Sequence, residues 1–76
     1  MKCKKTVAVI SSNKLMYKVW LRDNKVEGVQ YIHVSRPDDV FGAIYHDVKL
    51  GYDYEKIRDY NDLISLVESR KRYFNE

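Results

Sequence analysis

The sequence predicts an α+β fold in which a three-stranded antiparallel sheet is followed by two helices packed on one face, with room for a short strand between the helices. Three observations lead there. Residues 6–10 form a β-branched run. Residues 15–22 alternate in polarity and precede a turn-forming segment. After residue 35, apolar residues recur at helical spacing.

The first two predicted strands come from residues 6–22. Thr6–Ile10 is a short β-branched strand, and Ser11-Ser12-Asn13 is a turn. Residues 14–22 read as the second strand, because a period of two divides them into two faces. One face is Leu15, Tyr17, Val19 and Leu21, and the other is Met16, Lys18, Trp20 and Arg22.

A hairpin turn at Asp23-Asn24-Lys25 leads to the third predicted strand, residues 26–34. Two turn registers fit, and both give the same faces because they differ by an even shift in pairing. Tyr31 and His33 then lie on the same face as Trp20.

Two helices are predicted in the second half of the chain. Ser35, Pro37 and Asp38 form a helix start, and Gly51 is a natural stop. The apolar stripe of this helix is Val40, Phe41, Ile44, Tyr45 and Val48. Residues 52–60 fit either an edge strand or an irregular crossing.

A second capping box at residues 59–62 precedes the last predicted helix, which ends in Arg70-Lys71-Arg72. Arg70 lies inside its apolar stripe. We expect the Arg70 stem to pack while its head reaches water, with a carboxylate pair or a docking contact as the alternative. The predicted core is Val19, Leu21, Ile32, Ile44, Val48, Leu63 and Val67.

Composition limits the class of protein. The 76 residues suit one domain, residues 1–76, and the 45% hydrophobic content suits an ordered chain. The single cysteine, Cys3, excludes an intrachain disulfide and favours a reducing, cytoplasmic location. The apolar run Val7–Ile10 is too short for a signal peptide or a membrane span.

Charge is distributed unevenly along the chain. Residues 1–36 hold eight Lys/Arg against two acids, while residues 37–76 hold six against nine. This polarity indicates either an acidic partner for the first half or an attraction between parts of the fold.

The strongest candidate for a binding surface is the predicted polar sheet face, on which Trp and Tyr supply contact area and cations supply charge. Its residues are Met16, Lys18, Trp20, Arg22, Tyr31 and His33. We expect Trp20 to be at least partly exposed. The alternatives are ordinary cross-strand pairing, or a covering helix that places Trp20 in the core.

These residues predict a small, non-catalytic binding or regulatory module that docks on a larger macromolecule, in the style of a viral or mobile-element accessory protein that acts on a host protein. A larger protein is the favoured partner. A nucleic-acid-binding protein using the same surface is the first alternative. A small ribonuclease-like enzyme, with His33 acting beside Lys18, Arg22 and Tyr31, is the second. The oligomeric state stays open, a homo-oligomer included.

No cofactor or metal is predicted. Cys3, His33 and His46 lack the spacing of a metal-ligand set.

Overall fold

The computed structural model describes residues 5–72, which form a parallel sheet with one helix on each face. The strands are β1 (Lys5–Ile10), β2 (Val29–Val34) and β3 (Asp47–Leu50). The helices are α1 (Lys14–Asn24) and α2 (Tyr60–Ser69). Two single 3₁₀ turns cover Pro37–Asp39 and Tyr54–Lys56.

The strand order is β2-β1-β3, so β1 is the central strand. It pairs in parallel with β2, from Lys5 opposite Val29 to Ile10 opposite Val34. It also pairs in parallel with β3, where Ile10 lies opposite Leu50. Residues Val7 to Ile10 are all 5% exposed or less, as expected of a strand covered on both faces.

The two faces of β1 belong to two separate apolar clusters. Val7 and Val9 pack with Trp20 of α1. Ala8 and Ile10 pack with Leu63 and Val67 of α2. The fold therefore has three layers, with the sheet between α1 and α2.

The antiparallel sheet predicted from the sequence is wrong, because all three strands run in the same direction. Parallel neighbours cannot be joined by a tight hairpin and need a crossover connection, usually a helix. Residues 14–24 supply that crossover as α1, so they are not a strand.

Residues 14–24 also carry the local signals of a helix. The Asn13 side chain accepts a hydrogen bond from Met16 N at 2.9 Å, which caps the first turn. Tyr17, Trp20 and Leu21 fall at the i, i+3, i+4 spacing of one helix face, and these three pack on the sheet. Leu15 and Val19 are apolar but lie outside that face. Together with Tyr17 and Leu21 they produce the apparent period of two in the sequence.

The first predicted helix, which was expected to start at Ser35–Asp38 and to stop at Gly51, is also wrong. The start signal is real but produces one 3₁₀ turn, in which the Asp39 carboxylate accepts hydrogen bonds from Ser35 N, Ser35 Oγ and Arg36 N at 3.0–3.2 Å. Residues 47–50 then pair with β1 as β3. Without β3, the second edge of β1 would expose a row of unpaired peptide groups. Hydrogen bonding along this edge therefore stabilises residues 47–50 as a strand despite their local helical pattern.

The last helix is confirmed as α2, although its predicted capping box does not form. Asp59 lies in the left-handed region at φ 57°, and its side chain makes no capping hydrogen bond. Residues 52–60 contain the 3₁₀ turn Tyr54–Lys56 and no strand. Neither helix in the described range is long and apolar enough to cross a bilayer.

The predicted core is correct only in part. Leu63 and Val67 are buried, and Ile32 and Val48 pack against the same cluster. Leu21 belongs to the opposite cluster, Val19 is half-buried on α1, and Ile44 is 65% exposed.

Gly51 closes the sheet at the carboxyl end of β3. Its N–H donates to the Ile10 carbonyl at 2.7 Å, and a Cβ there would lie 2.9 Å from Val9 Cγ1 and 3.0 Å from Ile10 O. Only a residue without a side chain fits this approach of β3 to β1.

We expect Gly51→Ala to lower the free energy of unfolding by about 1–3 kcal/mol through overpacking. Urea denaturation followed by circular dichroism measures this. Ser12→Ala, a half-buried change in the adjoining turn, is the control and should cost much less. Equal midpoints for Gly51→Ala and the wild type would contradict the packing described.

Asp39 predicts a pH dependence. Burial by itself raises the pKa of Asp39, but the hydrogen bonds from Ser35 and Arg36 lower it overall. A folded-state pKa below the unfolded value stabilises the fold above about pH 4, and that contribution disappears as the pH falls further. Asp39→Asn should cost about 1 kcal/mol at pH 7. Its deficit relative to wild type should shrink toward pH 2.5 in urea titrations, and a pH-independent deficit would contradict this account.

Candidate functional site

Helix α1 is fixed to the sheet by its aromatic side. Trp20 is 8% exposed and packs with Val7 and Val9 of β1. Its ring meets the Tyr31 ring edge to face, with centroids 5.8 Å apart and planes at 67°. This contact anchors one side of α1 and turns the other side outward.

The expected exposure of Trp20 is therefore wrong. The sequence alternative that placed Trp20 in the core is the correct one, although Trp20 reaches it from a helix and not from a strand. A helical repeat puts Trp20 on the same side as Tyr17 and Leu21, and both of these pack in the same cluster.

The six candidate residues do not form one face. Lys18 and Arg22 are exposed, whereas Met16 is half-buried on α1. Tyr31 and His33 are half-buried on β2, toward the aromatic side of α1. The structure thus separates the two cations from the aromatic and imidazole groups.

His33 and Tyr31 are engaged in contacts within the fold. His33 Nε2 lies 3.2 Å from the Ser11 carbonyl oxygen, and its ring stacks on Tyr17 with centroids 4.8 Å apart. Burial raises the pKa of the Tyr17 phenol. Tyr31 Oη accepts a hydrogen bond from Val26 N at 2.9 Å. The predicted ribonuclease-like grouping of His33 with Lys18 and Arg22 is not assembled.

The outward side of α1 carries a row of cations. Lys14, Lys18 and Arg22 follow one another at four-residue spacing, which sets them about 6 Å apart along the helix axis. Lys25, the C-cap residue, lies at the margin of this row, beside a groove that Tyr17, Leu21 and Tyr31 also line. All four residues are exposed. We call Lys14, Leu15, Lys18, Arg22 and Lys25 the α1 basic face.

Little negative charge offsets these cations. Asp23 lies 3.5 Å from Arg22 Nε, and it also accepts a hydrogen bond from Tyr52 Oη at 2.9 Å. Within residues 5–72, no ion pair forms with Lys14, Lys18 or Lys25. The side chains are therefore available to an acidic partner.

An exposed apolar residue lies within the α1 basic face. Leu15 is 65% exposed, and a helical repeat places it beside Arg22, on the side of α1 away from Tyr17, Trp20 and Leu21. Val26, just beyond the helix, is 57% exposed. Sequence reasoning missed Lys14 and Lys25 as members of this surface. The i, i+4 spacing of Lys14, Lys18 and Arg22 is the sequence signal that indicates this surface.

The carboxyl edge of the sheet is the other place where parallel folds bind ligands. Here the strand ends are joined by direct main-chain hydrogen bonds, from Ser11 N to Val34 O at 3.2 Å and from Gly51 N to Ile10 O at 2.7 Å. The residues described by the structure include no group of three or more His, Cys, Asp or Glu placed to hold a metal ion. The α1 basic face is the better candidate site.

Comparison of the chain with models of known protein families, with curated proteins and with solved structures found no significant match.

Trp20 offers a direct check of the placement of α1. We expect blue-shifted emission that resists acrylamide quenching, because the single Trp is 8% exposed. Trp20→Ala should lower the free energy of unfolding by about 3–5 kcal/mol, enough to unfold much of a domain this small. Red-shifted, readily quenched emission from the folded wild type would contradict the helix assignment.

Proposed function

We propose that this protein is a small non-catalytic binding module that docks on an acidic surface of a larger protein through the α1 basic face. The single observation that carries the proposal is the division of α1 into two sides. One side is locked into the core through Trp20, and the other presents Lys14, Lys18 and Arg22 to solvent. A rigidly mounted helix loses little freedom on binding, which favours affinity.

The exposed apolar residue favours a protein partner over a nucleic acid. Leu15 lies among the cations at 65% exposure, and protein interfaces combine an apolar centre with a charged rim. Single-stranded nucleic acids are held by cations together with exposed aromatic rings for stacking. The aromatic rings nearest this surface, Tyr17 and Trp20, pack against the sheet instead.

We propose a non-catalytic role because His33, the group suited to acid–base chemistry in the predicted site, makes contacts within the fold. His33 contacts the Ser11 carbonyl oxygen and the Tyr17 ring. Lys18 and Arg22 extend from the opposite side of α1. These positions give no support to a shared reaction centre.

Reversing charge on the α1 basic face should weaken docking. We expect Lys18→Glu/Arg22→Glu to raise the Kd at least tenfold, because two attractive contacts at the interface become repulsive. The partner would be captured from nuclease-treated lysate, identified, purified and measured by fluorescence anisotropy. The wild-type affinity should fall as salt rises, since exposed charges are screened over about 8–10 Å near physiological ionic strength.

The matched control is Lys56→Glu/Arg58→Glu, which replaces one Lys and one Arg at exposed positions between β3 and α2, where Tyr54 and Ile57 pack on the α2 side of the sheet. It changes the net charge equally and should keep the Kd within about twofold. Circular dichroism establishes that both variants fold. Equal loss in the two variants would reduce the effect to net charge, and capture that nuclease abolishes would favour the nucleic-acid alternative. Either result overturns the proposal.

A further inference from the structure

A second basic surface lies on the α2 side of the sheet. A groove of about 490 Å³ runs between the loop of residues 40–44 and the end of α2. It is lined by Val40, Gly42, Ala43, Ile44, Ser69, Arg70 and Arg72. None of these residues is acidic and two are arginines, so the groove has a positive potential.

A buried tyrosine holds the two walls of this groove together. Tyr45 is fully buried, and its Oη donates to the Val67 carbonyl oxygen at 2.6 Å. The Tyr45 carbonyl oxygen in turn accepts a hydrogen bond from Arg72 N at 2.8 Å. The loop and the helix end are thus fixed in place before any ligand arrives.

The two arginine side chains have no carboxylate partner among residues 5–72. The nearby acid Glu68 pairs with Lys71 at 3.6 Å. The carboxylate pair, one of the two alternatives predicted for Arg70, is therefore absent within this range. The other predicted alternative is a docking contact.

The ordinary role of cations at a helix C-terminus is to satisfy its free carbonyl groups. Here three of the last four carbonyl groups already have donors. Leu66 O accepts from Arg70 N and Ser69 Oγ, Val67 O accepts from Tyr45 Oη, and Glu68 O accepts from Lys71 N. The guanidinium groups are not needed to cap these three carbonyl groups.

The Arg70 guanidinium is instead placed over an aromatic ring. Its Cζ lies 4.9 Å from the centroid of the Phe41 ring, which is itself 54% exposed. Stacking of this kind orients the planar guanidinium and leaves its N–H edge free for a carboxylate. Ile44, 65% exposed, lines the groove itself, and Phe41 adjoins the groove through its contact with Arg70.

We propose that this groove binds an acidic peptide segment of a partner protein, with a carboxylate on Arg70 and Arg72 and an apolar side chain against Phe41 and Ile44. Arg–carboxylate pairs are commonly bidentate, which suits the stacked Arg70. Apolar residues beside the arginines favour a peptide over a phosphate backbone. The groove is independent of the α1 basic face, because α1 and α2 lie on opposite faces of the sheet.

The experiment is a titration of the ¹⁵N-labelled full chain with the peptide Ac-Glu-Leu-Glu-Phe-Glu-NH₂, followed by NMR. Shift changes at millimolar peptide should concentrate on residues 40–45 and 69–72 and on the Arg70 side-chain Nε–H. The peptide with Gln in place of each Glu should give at least fivefold smaller shifts. Oligothymidylate serves as the phosphate probe.

Arg70→Gln/Arg72→Gln should abolish the shifts, and Phe41→Ala should reduce them at least threefold. Arg36→Gln/Arg58→Gln, which removes two exposed arginines elsewhere, should leave them unchanged. Shifts confined to α1, equal shifts with both peptides, a response to oligothymidylate alone, or no shifts at millimolar peptide would each overturn the proposal. A Lys18→Glu/Arg22→Glu protein should still bind this peptide, so the two proposals can fail separately.

Discussion

Burial of β1 on both faces is the constraint from which the rest of the structure follows. Val7 and Val9 need cover on one side of the sheet, and Ala8 and Ile10 need it on the other. One helix cannot supply both. The chain therefore crosses one face as α1, which joins the parallel strands β1 and β2, and covers the other face as α2 after β3. β2 and β3 then complete the hydrogen bonding of the central strand on its two edges.

This arrangement determines where charge is displayed. A helix packed on a sheet turns its opposite side to water, so Lys14, Lys18 and Arg22 become one continuous surface. The end of α2 and the loop of residues 40–44 form a second positive surface across the sheet. The two proposed docking surfaces therefore lie on opposite faces of the sheet.

The local sequence pattern predicts part of the candidate site correctly. Lys18 and Arg22 belong to the surface named from the sequence, and both are exposed. Residues 15–22 fit both a period of two and the helical spacing of Tyr17, Trp20 and Leu21, so the period of two predicts the wrong side for Trp20. Two further features favour a helix. Asn13 accepts a hydrogen bond from Met16 N and caps the first turn, and the parallel strands β1 and β2 need a crossover connection. An alternation over eight residues does not by itself distinguish a strand from a helix.

The sequence by itself determined the elements whose signals are local and strong: the β-branched strand at residues 6–10, the strand that ends at Val34, and the apolar face of α2 with Leu63 and Val67. The unbroken apolar run Val7–Ile10 also contained the signal of a doubly covered, parallel strand. Only the tertiary structure decided the direction of pairing, the helical state of residues 14–24 and the conversion of residues 47–50 to β3. The physical reason is that these segments have ambiguous local preferences, so tertiary contacts decide their state. Residues 47–50 pair with the free edge of β1, and residues 14–24 bury Trp20 on the sheet while joining β1 to β2.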